Sequence, residues 1–168
     1  MSELIDRFLD NLRAHAGDGT VTSSAKLWAD LKHVIEPPAI TTVSLFDRYD
    51  IDAPAIDANP TVGELEVAET GVTEASLGIA RYGSVILQGG IEGDELISLY
   101  PTRHVILLPS SAIVEDLPAA ISQLTTAHET SVTTSIVATG PSATADMGEL
   151  VYGAHGPTEV HVLVVNDR

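Results

Sequence analysis

Apolar residues near the N-terminus recur at the spacing of one helix face. The stripe consists of Leu4, Ile5, Phe8, Leu9 and Leu12. It predicts a helix that begins at Ser2 and ends at the Gly-Asp-Gly of residues 17–19. A second helix is expected to begin at Ser23 or Ser24 and to stop at the prolines of positions 37–38.

Beyond the two prolines, β-branched and continuously apolar runs predict strands. These runs cover residues 40–45, 84–87, 103–109, 131–138 and 160–165. Residues 47–60 are predicted to form a loop and residues 116–127 a helix. The inward face of that helix is expected to consist of Leu117, Ala120, Ile121 and Leu124. Strands that are apolar on both faces and alternate with helices are typical of the α/β class, with a mostly parallel sheet flanked by helices.

The composition excludes several classes of protein. A length of 168 residues fits one domain, and the lack of cysteine rules out disulfides, thiolate zinc sites, Cys-ligated iron–sulfur clusters and cysteine nucleophiles. The 8 Lys and Arg residues are scattered, which disfavours nucleic-acid binding. No apolar run reaches the roughly 18–20 residues of a membrane helix, and the N-terminus lacks the order of a secretory signal. We therefore expect a cytoplasmic protein without membrane insertion.

Acidic residues are spread along the whole chain. There are 24 of them, the formal net charge is −16, and no acidic tail is present. An evenly acidic, lysine-poor surface repels itself at low salt, whereas at about 1 M salt the Debye length falls to about 3 Å. The charge therefore predicts a high-salt cytoplasm, the alternative being an ordinary protein that happens to be acidic.

Residues 137–157 carry the richest candidate chemistry. After a predicted strand ending at Ala138, the chain places hydroxyl, glycine and acidic residues in succession: Thr139, Gly140, Ser142, Thr144 and Asp146. Ligands of α/β sheets bind beyond the carboxyl ends of strands, where glycine and small hydroxyl residues expose N–H groups that suit an anion. The segment is interpreted as a phosphate or carboxylate cradle, or else as a turn and helix cap. Its spacing is not that of a dinucleotide fingerprint, a P-loop or a serine-hydrolase elbow.

His155 is the candidate acid–base group. It stands between Gly153 and the Gly156-Pro157 pair, in a sharply turned loop just before the last predicted strand. A histidine there can exchange a proton near neutral pH or donate to a substrate carboxylate. The alternative is a loop histidine that only packs the turn.

The remaining polar residues favour structural roles. His104 and His161 are expected to be hydrogen-bonded histidines of the sheet, and no metal site is expected from the spacing of His15, His33, His128 and His155. Four glutamates are interpreted as a solvated acidic face: Glu64, Glu66, Glu69 and Glu74. Gln88-Gly89-Gly90 is either a plain turn or part of a cleft wall.

Three stretches of the chain resemble a known family. They are GVTEASLGIARYGSVIL at 71–87, LISLYPTRHVILLPSSAIV at 96–114 and ATGPSATADMGELVYGAHGPTEVHVLVV at 138–165. Together they resemble the LUD domain, the lactate-utilisation protein C (LutC/YkgG) family, over about residues 65–166. Residues 1–60, helical and followed by a strand, form a divergent N-terminal part. One departure is Arg81-Tyr82-Gly83, where members commonly carry an acidic residue and threonine before the glycine.

The resemblance implies a three-layer α/β/α fold related to the NagB/RpiA/CoA-transferase superfamily. It also implies a subunit of a system that oxidises lactate to pyruvate, with iron–sulfur clusters in partner subunits and no cofactor in this chain. A small anionic ligand is expected at Thr139, Gly140, Ser142, Thr144, Asp146, Gly153, His155 and Gly156. His155 and Asp146 are the candidate catalytic residues. The alternatives are a stand-alone isomerase- or transferase-like enzyme on a phosphorylated, folate or CoA substrate, and a non-catalytic docking scaffold.

Overall fold

The computed structural model describes residues 2–51, 53–89, 93–127, 134–146, 149–153 and 155–168. The helices in these ranges are α1 (Ser2–Ala14), α2 (Leu27–Val34), α3 (Val43–Tyr49), α4 (Val62–Val67), α5 (Asp94–Leu99) and α6 (Leu117–Ala127). The strands are β1 (Asp18–Thr22), β2 (Ala39–Ile40), β3 (Ile56–Asp57), β4 (Thr70–Glu74), β5 (Leu77–Ile79), β6 (Ser84–Gln88), β7 (Arg103–Pro109), β8 (Ile113–Val114), β9 (Ser135–Ala138), β10 (Ala143–Asp146), β11 (Glu149–Tyr152) and β12 (Glu159–Val165).

A six-stranded parallel sheet forms the centre of the fold. Its strand order is β1-β12-β7-β4-β2-β3, and every neighbouring pair runs parallel. Arg103 at the start of β7 stands opposite Glu159 on one side and Thr70 on the other. The predicted mostly parallel sheet of an α/β fold is therefore confirmed.

A second, smaller sheet was not expected from the sequence. It has the order β8-β5-β6-β9, in which β6 is antiparallel to both β5 and β9. The hairpin of β10 and β11 stands apart from both sheets. The strand that leads into the candidate ligand loop, β9, thus belongs to the smaller sheet and not to the parallel one.

The parallel sheet is buried on both faces, as its continuously apolar strands require. On one face, Ile106 and Leu108 of β7 pack with α1 and with Val85 and Leu87 of the smaller sheet. On the other face, neighbouring residues of β7 pack against α2 and α3. The outer side of the smaller sheet contacts Ala120 of α6. Helices therefore cover both sides of the parallel sheet, and the smaller sheet shares one side with α1.

One predicted strand is mostly a helix. The β-branched run at 40–45 indicates a strand, but β2 ends at Ile40 and α3 begins at Val43. The helix places Leu45 and Tyr49, four residues apart, in the core against the parallel sheet. Tertiary burial of this pair overrides the local β propensity.

The predicted inward face of α6 is also partly wrong. Ala120 is fully buried, but Leu117 and Ile121 are 39% and 51% exposed. Ala120 packs with Leu77, Ile79, Ile86 and Val114 of the smaller sheet, so the buried stripe of α6 is narrower than predicted. Of the predicted strand at 131–138, β9 confirms residues 135–138, and residues 131–133 lie outside the described residues.

Within the described ranges, no helix combines the length and the apolar composition needed to cross a membrane.

Candidate functional site

The glycine-rich segments around Gly140 and Gly156 converge on one cavity of about 190 Å³, named here the loop cavity. Its lining includes Thr139, Gly140, Ser142, His155 and Gly156. His104 and Val160, near the starts of β7 and β12, also line it. The loop cavity therefore lies beyond the carboxyl end of β9 and at the amino ends of β7 and β12, since β9 is not part of the parallel sheet.

Backbone hydrogen bonds hold the two segments together. The Ser142 N–H donates to the Pro157 carbonyl at 2.8 Å, and the Ser142 carbonyl accepts from the Gly153 N–H at 2.8 Å. The Thr158 N–H donates to the Thr102 carbonyl at 2.8 Å, which fixes the second segment beside β7. The loop cavity is thus walled by backbone that is paired across the two segments.

Gly140 is required at its position for two reasons. Its φ is +64°, in the left-handed region that glycine adopts without strain. A Cβ atom built there would lie 2.1 Å from the carbonyl oxygen of His15, just beyond α1. The glycine thus allows the loop to touch the end of the first helix.

The polar side chains among the residues that line the loop cavity include those of His104, Thr139, Ser142 and His155. The Thr139 and Ser84 hydroxyls are 2.6 Å apart, and the His155 side chain is exposed. No Lys or Arg is among the described residues that line the cavity. An anion in this cavity would meet the side chains of Thr139, Ser142 and His155.

His104 lines the inner part of the loop cavity. It is 2% exposed, and its Nε2 lies 2.7 Å from the Thr73 hydroxyl. Burial lowers the pKa of His104 to about 3, so the imidazole is neutral at physiological pH. The expected hydrogen-bonded histidine of the sheet is confirmed at this position, and it brings no positive charge to the cavity.

The predicted ligand residues are only partly brought together. Thr144 is exposed on β10 and does not line the loop cavity. The backbone of Asp146 pairs with Glu149 in the hairpin, while its side chain lies outside the described part of the structure. The alternative interpretation as a helix cap is wrong, because the loop leads into β10 and not into a helix.

A second concavity lies at the topological switch point of the parallel sheet, where ligands of α/β folds commonly bind. β2 and β4 are neighbours in the sheet, and the chain leaves them in opposite directions. It passes from β2 outward to β3, and from β4 to β7 on the other side. Between them is a crevice of about 190 Å³, named here the switch-point crevice. Its polar lining is Thr42, Ser44, Arg48, Glu74, Ser76, Gln88 and Asp94.

Glu74 is the central charge of the switch-point crevice. Its side chain is 15% exposed and forms an ion pair with Arg48. The Tyr49 hydroxyl donates to Glu74 Oε1 at 2.7 Å, and burial followed by this hydrogen bond raises the Tyr49 pKa above its ordinary value. The interpretation of Glu74 as solvated is therefore wrong. A charged residue directly after the buried run of β4 was the signal in the sequence.

The other described residues that the sequence suggested as candidates lie outside the loop cavity. His161 Nδ1 lies 3.6 Å from Asp18 Oδ2, and burial lowers the His161 pKa although Asp18 acts in the opposite direction. Gln88 and Gly89 form a wall of the switch-point crevice, and Gly90 lies outside the described residues. Gly83 of the departing tripeptide has φ +63° and packs against α1.

Metal binding finds no support in the described ranges. There, no three His, Asp or Glu side chains come together as a metal site would require. His15 and His33 hydrogen-bond to carbonyl groups four residues earlier, those of Asn11 and Ala29. His128 lies outside the described residues.

Comparison with known proteins relates the chain to one family. A family model described as LUD domain matches residues 46–165. Lactate utilization protein C of Anoxybacillus flavithermus is 30% identical, and the alignment covers 88% of this chain and 73% of that protein. The proteins of the same name from Bacillus licheniformis and Bacillus subtilis are 33% and 32% identical over 71% and 64% of this chain. The chain spans about half the length of these two relatives, 51% and 46%.

A solved structure supports the fold. A DUF162 family protein from Deinococcus radiodurans superposes with a TM-score of 0.70 over 98% of both chains, at 19% sequence identity. At this identity the likeness concerns the fold alone.

Proposed function

Because the chain belongs to the LUD domain family, we propose that it takes part in lactate utilisation, as a subunit that binds a small carboxylate. The supporting observation is the family match over residues 46–165, together with relatives named lactate utilization protein C that are 30% and 32% identical over the aligned regions. This chain covers 51% and 46% of the length of two of those relatives, so we also propose, for this chain, the activity that their name describes.

The loop cavity is the proposed carboxylate site. Thr139 and Ser142 line it, and the lining residue His155 is exposed. This lining suits a monocarboxylate better than a phosphate, because no Lys or Arg is present among the described lining residues. His155 would donate a hydrogen bond to the carboxylate of lactate or exchange a proton with the hydroxyl group of lactate. Asp146 and Gly153 remain predicted contributors, whereas Thr144 is exposed on β10 and does not line the cavity.

Electron transfer is proposed to involve a partner. Oxidation of lactate to pyruvate releases two electrons and two protons, and this chain has no cysteine to hold an iron–sulfur cluster. The electrons would pass to an iron–sulfur partner subunit, while residues of this chain orient the acid. The setting we propose is a cytoplasm of high salt, for which the net charge of −16 is the support.

Growth on lactate tests the proposed role. Deletion of the gene should abolish growth on lactate as sole carbon source and leave growth on pyruvate intact. The wild-type gene should restore growth, and a His155→Ala gene should restore it poorly. Undiminished growth of the deletion strain on lactate would contradict the role in lactate utilisation. Full restoration by His155→Ala would instead favour a docking scaffold.

Calorimetric titration with L-lactate and with inorganic phosphate tests the site. Lactate binding should weaken at least about tenfold in Ser142→Ala and His155→Ala, since each substitution removes a proposed hydrogen bond to a charged group. His33→Ala is the matched control, because His33 is exposed and bonds only to its own helix. Equal affinity in all three variants would place the ligand elsewhere.

The switch-point crevice favours a second candidate function. A polar crevice with an Arg48–Glu74 ion pair at a switch point is where a stand-alone isomerase- or transferase-like enzyme would bind its substrate. Such an enzyme should bind or turn over a sugar phosphate, a folate or an acyl-CoA without partners. Arg48→Gln should abolish that binding, whereas lactate growth should not depend on it.

A further inference from the structure

A groove larger than either candidate ligand site lies beside the switch-point crevice. Its volume is about 460 Å³, and we name it the α4–α5 groove. Its walls come from the start of α3, the segment after β3, and helices α4 and α5, and they include Val43, Thr61, Val62, Leu65 and Leu96. The groove thus combines residues that are distant along the chain.

Three apolar side chains in these walls are turned to solvent. Val62 is 74% exposed, Val43 52% and Leu96 48%. Val67 at the end of α4, Leu99 in α5 and Tyr100 just after it are exposed as well. Leaving several large apolar side chains of neighbouring elements in water is unfavourable, and such patches mark interaction surfaces.

The surroundings of the groove are mostly acidic, and Arg48 of the adjoining switch-point crevice is ion-paired with Glu74. Residues 49–102 contain 10 Asp and Glu and one basic residue, Arg81. Glu64 accepts a hydrogen bond of 2.6 Å from the wall residue Thr61, and Asp94 one of 3.4 Å from Thr42. Carboxylates therefore stand at two sides of the apolar groove.

The charge distribution selects among occupants. A second copy of this chain would place like-charged carboxylates in contact at the border of the groove, where partly buried charges are screened least, and nucleic acids and anionic lipid surfaces carry the same sign of charge. A segment with apolar residues for the groove and Lys or Arg for the acidic border is complementary in both respects.

We propose that the α4–α5 groove docks an amphipathic, Lys/Arg-flanked segment of another protein. Apolar side chains of that segment would cover Val62 and Leu96, and its basic residues would face the carboxylates near Thr61 and Thr42. The proposal rests on the proposed function only in assigning the segment to a partner subunit of the same system. The docking chemistry itself follows from the groove.

Site-specific crosslinking tests the docking surface. Since the chain has no cysteine, Val62→Cys provides a single thiol for a benzophenone-maleimide crosslinker. Ile121→Cys is the matched control, a 51% exposed apolar residue on α6. The labelled proteins are irradiated in extracts of cells grown on lactate, and the crosslinked peptide is sequenced.

The expected product is one protein crosslinked at position 62 and not at 121, through a segment in which apolar residues alternate with Lys or Arg. A further Leu96→Gln substitution should lower the yield at least about tenfold, because it removes a central apolar contact, whereas Ile121→Gln should leave it unchanged. Melting curves by circular dichroism establish that the variants are folded.

Five outcomes would overturn the docking surface: no product, equal products at both positions, a product with a second copy, a crosslinked segment without basic residues, or a small apolar molecule attached at position 62 in place of a protein. A basic segment from a protein unrelated to lactate oxidation would uphold the groove and contradict the subunit role. If the deletion strain loses growth on lactate but no crosslink forms, the role in lactate utilisation is upheld and the docking groove is contradicted.

Discussion

At Gly140, a positive φ and the carbonyl of His15 leave no room for a side chain. We expect Gly140→Ala to destabilise the protein by about 1–3 kcal/mol through backbone strain and steric overlap. Gly63→Ala is the control, because nothing lies within 4 Å of its Cβ position in α4, and it should be neutral or stabilising by up to about 1 kcal/mol. Urea unfolding measures both. Equal stability of the two variants would contradict the packing of the loop on α1.

His104 gives a residue-scale prediction for pH. Its pKa is about 3 in the folded protein, whereas an unfolded histidine titrates near about 6.5. Between these values the unfolded chain binds the extra proton, so this histidine's stabilising contribution is complete above about pH 6.5 and is lost as the pH falls. The free energy of unfolding changes by at most about 1.4 kcal/mol per pH unit because of this histidine.

The comparison of wild type with His104→Asn isolates this slope. Urea unfolding at several pH values from 6.5 to 5 should show a steeper loss of stability in the wild type, since the variant lacks the titrating group and retains His161 and all acids. Parallel curves for the two proteins would show that His104 is protonated without cost in the folded state.

At the scale of elements, α4 depends on its N-terminal cap. Thr61 and Glu64 form a capping box, in which each side chain bonds to the backbone N–H of the other. Thr61→Ala should cost about 0.5–2 kcal/mol and loosen the groove wall that α4 provides. Thr125→Ala, in the exposed part of α6, is the control and should cost nothing because alanine has the higher helix propensity.

Chemical denaturation and the Glu64 titration by NMR check this prediction together. The hydrogen bonds from Thr61 hold the Glu64 pKa below its ordinary value, so Thr61→Ala should raise it. An unchanged Glu64 titration in the variant would mean that the capping box is not formed in solution.

At the scale of the whole molecule, the net charge of −16 dominates. Rising KCl should screen the self-repulsion and raise the melting temperature, by about 2–4 °C for each kcal/mol of repulsion removed. Melting curves from 0.1 to 2 M KCl, repeated in NaCl, measure the effect, which should follow ionic strength and not the cation. A flat or falling melting temperature would contradict a high-salt origin.

Secondary-structure elements could be predicted from the sequence where the local pattern and the tertiary environment favour the same structure. The strand at 103–109, the last strand and the first helix were predictable. A continuous apolar run is buried as a central strand, and an i, i+4 stripe is buried as one face of a helix. The convergence of Thr139, Gly140, Ser142 and His155 was also suggested by residue type, since glycine and hydroxyl residues cluster where loops turn sharply.

The sequence did not indicate where the site would sit. Its strand β9 pairs with β6 in a separate sheet, so the loop cavity lies at the amino ends of β7 and β12. Strand pairing joins residues about fifty positions apart, such as Val85 and Ala138, and no local pattern encodes such a partner.

The sequence by itself determined the family, the α/β class and the absence of any thiolate chemistry, because these follow from composition, periodicity and short motifs. Only the tertiary structure decided that Glu74 is an ion-paired group of the switch-point crevice and that Val62 and Leu96 share an exposed groove. The physical reason is that burial and charge pairing depend on which distant segments meet. That is settled by the packing of the whole chain and not by the neighbours of a residue in the sequence.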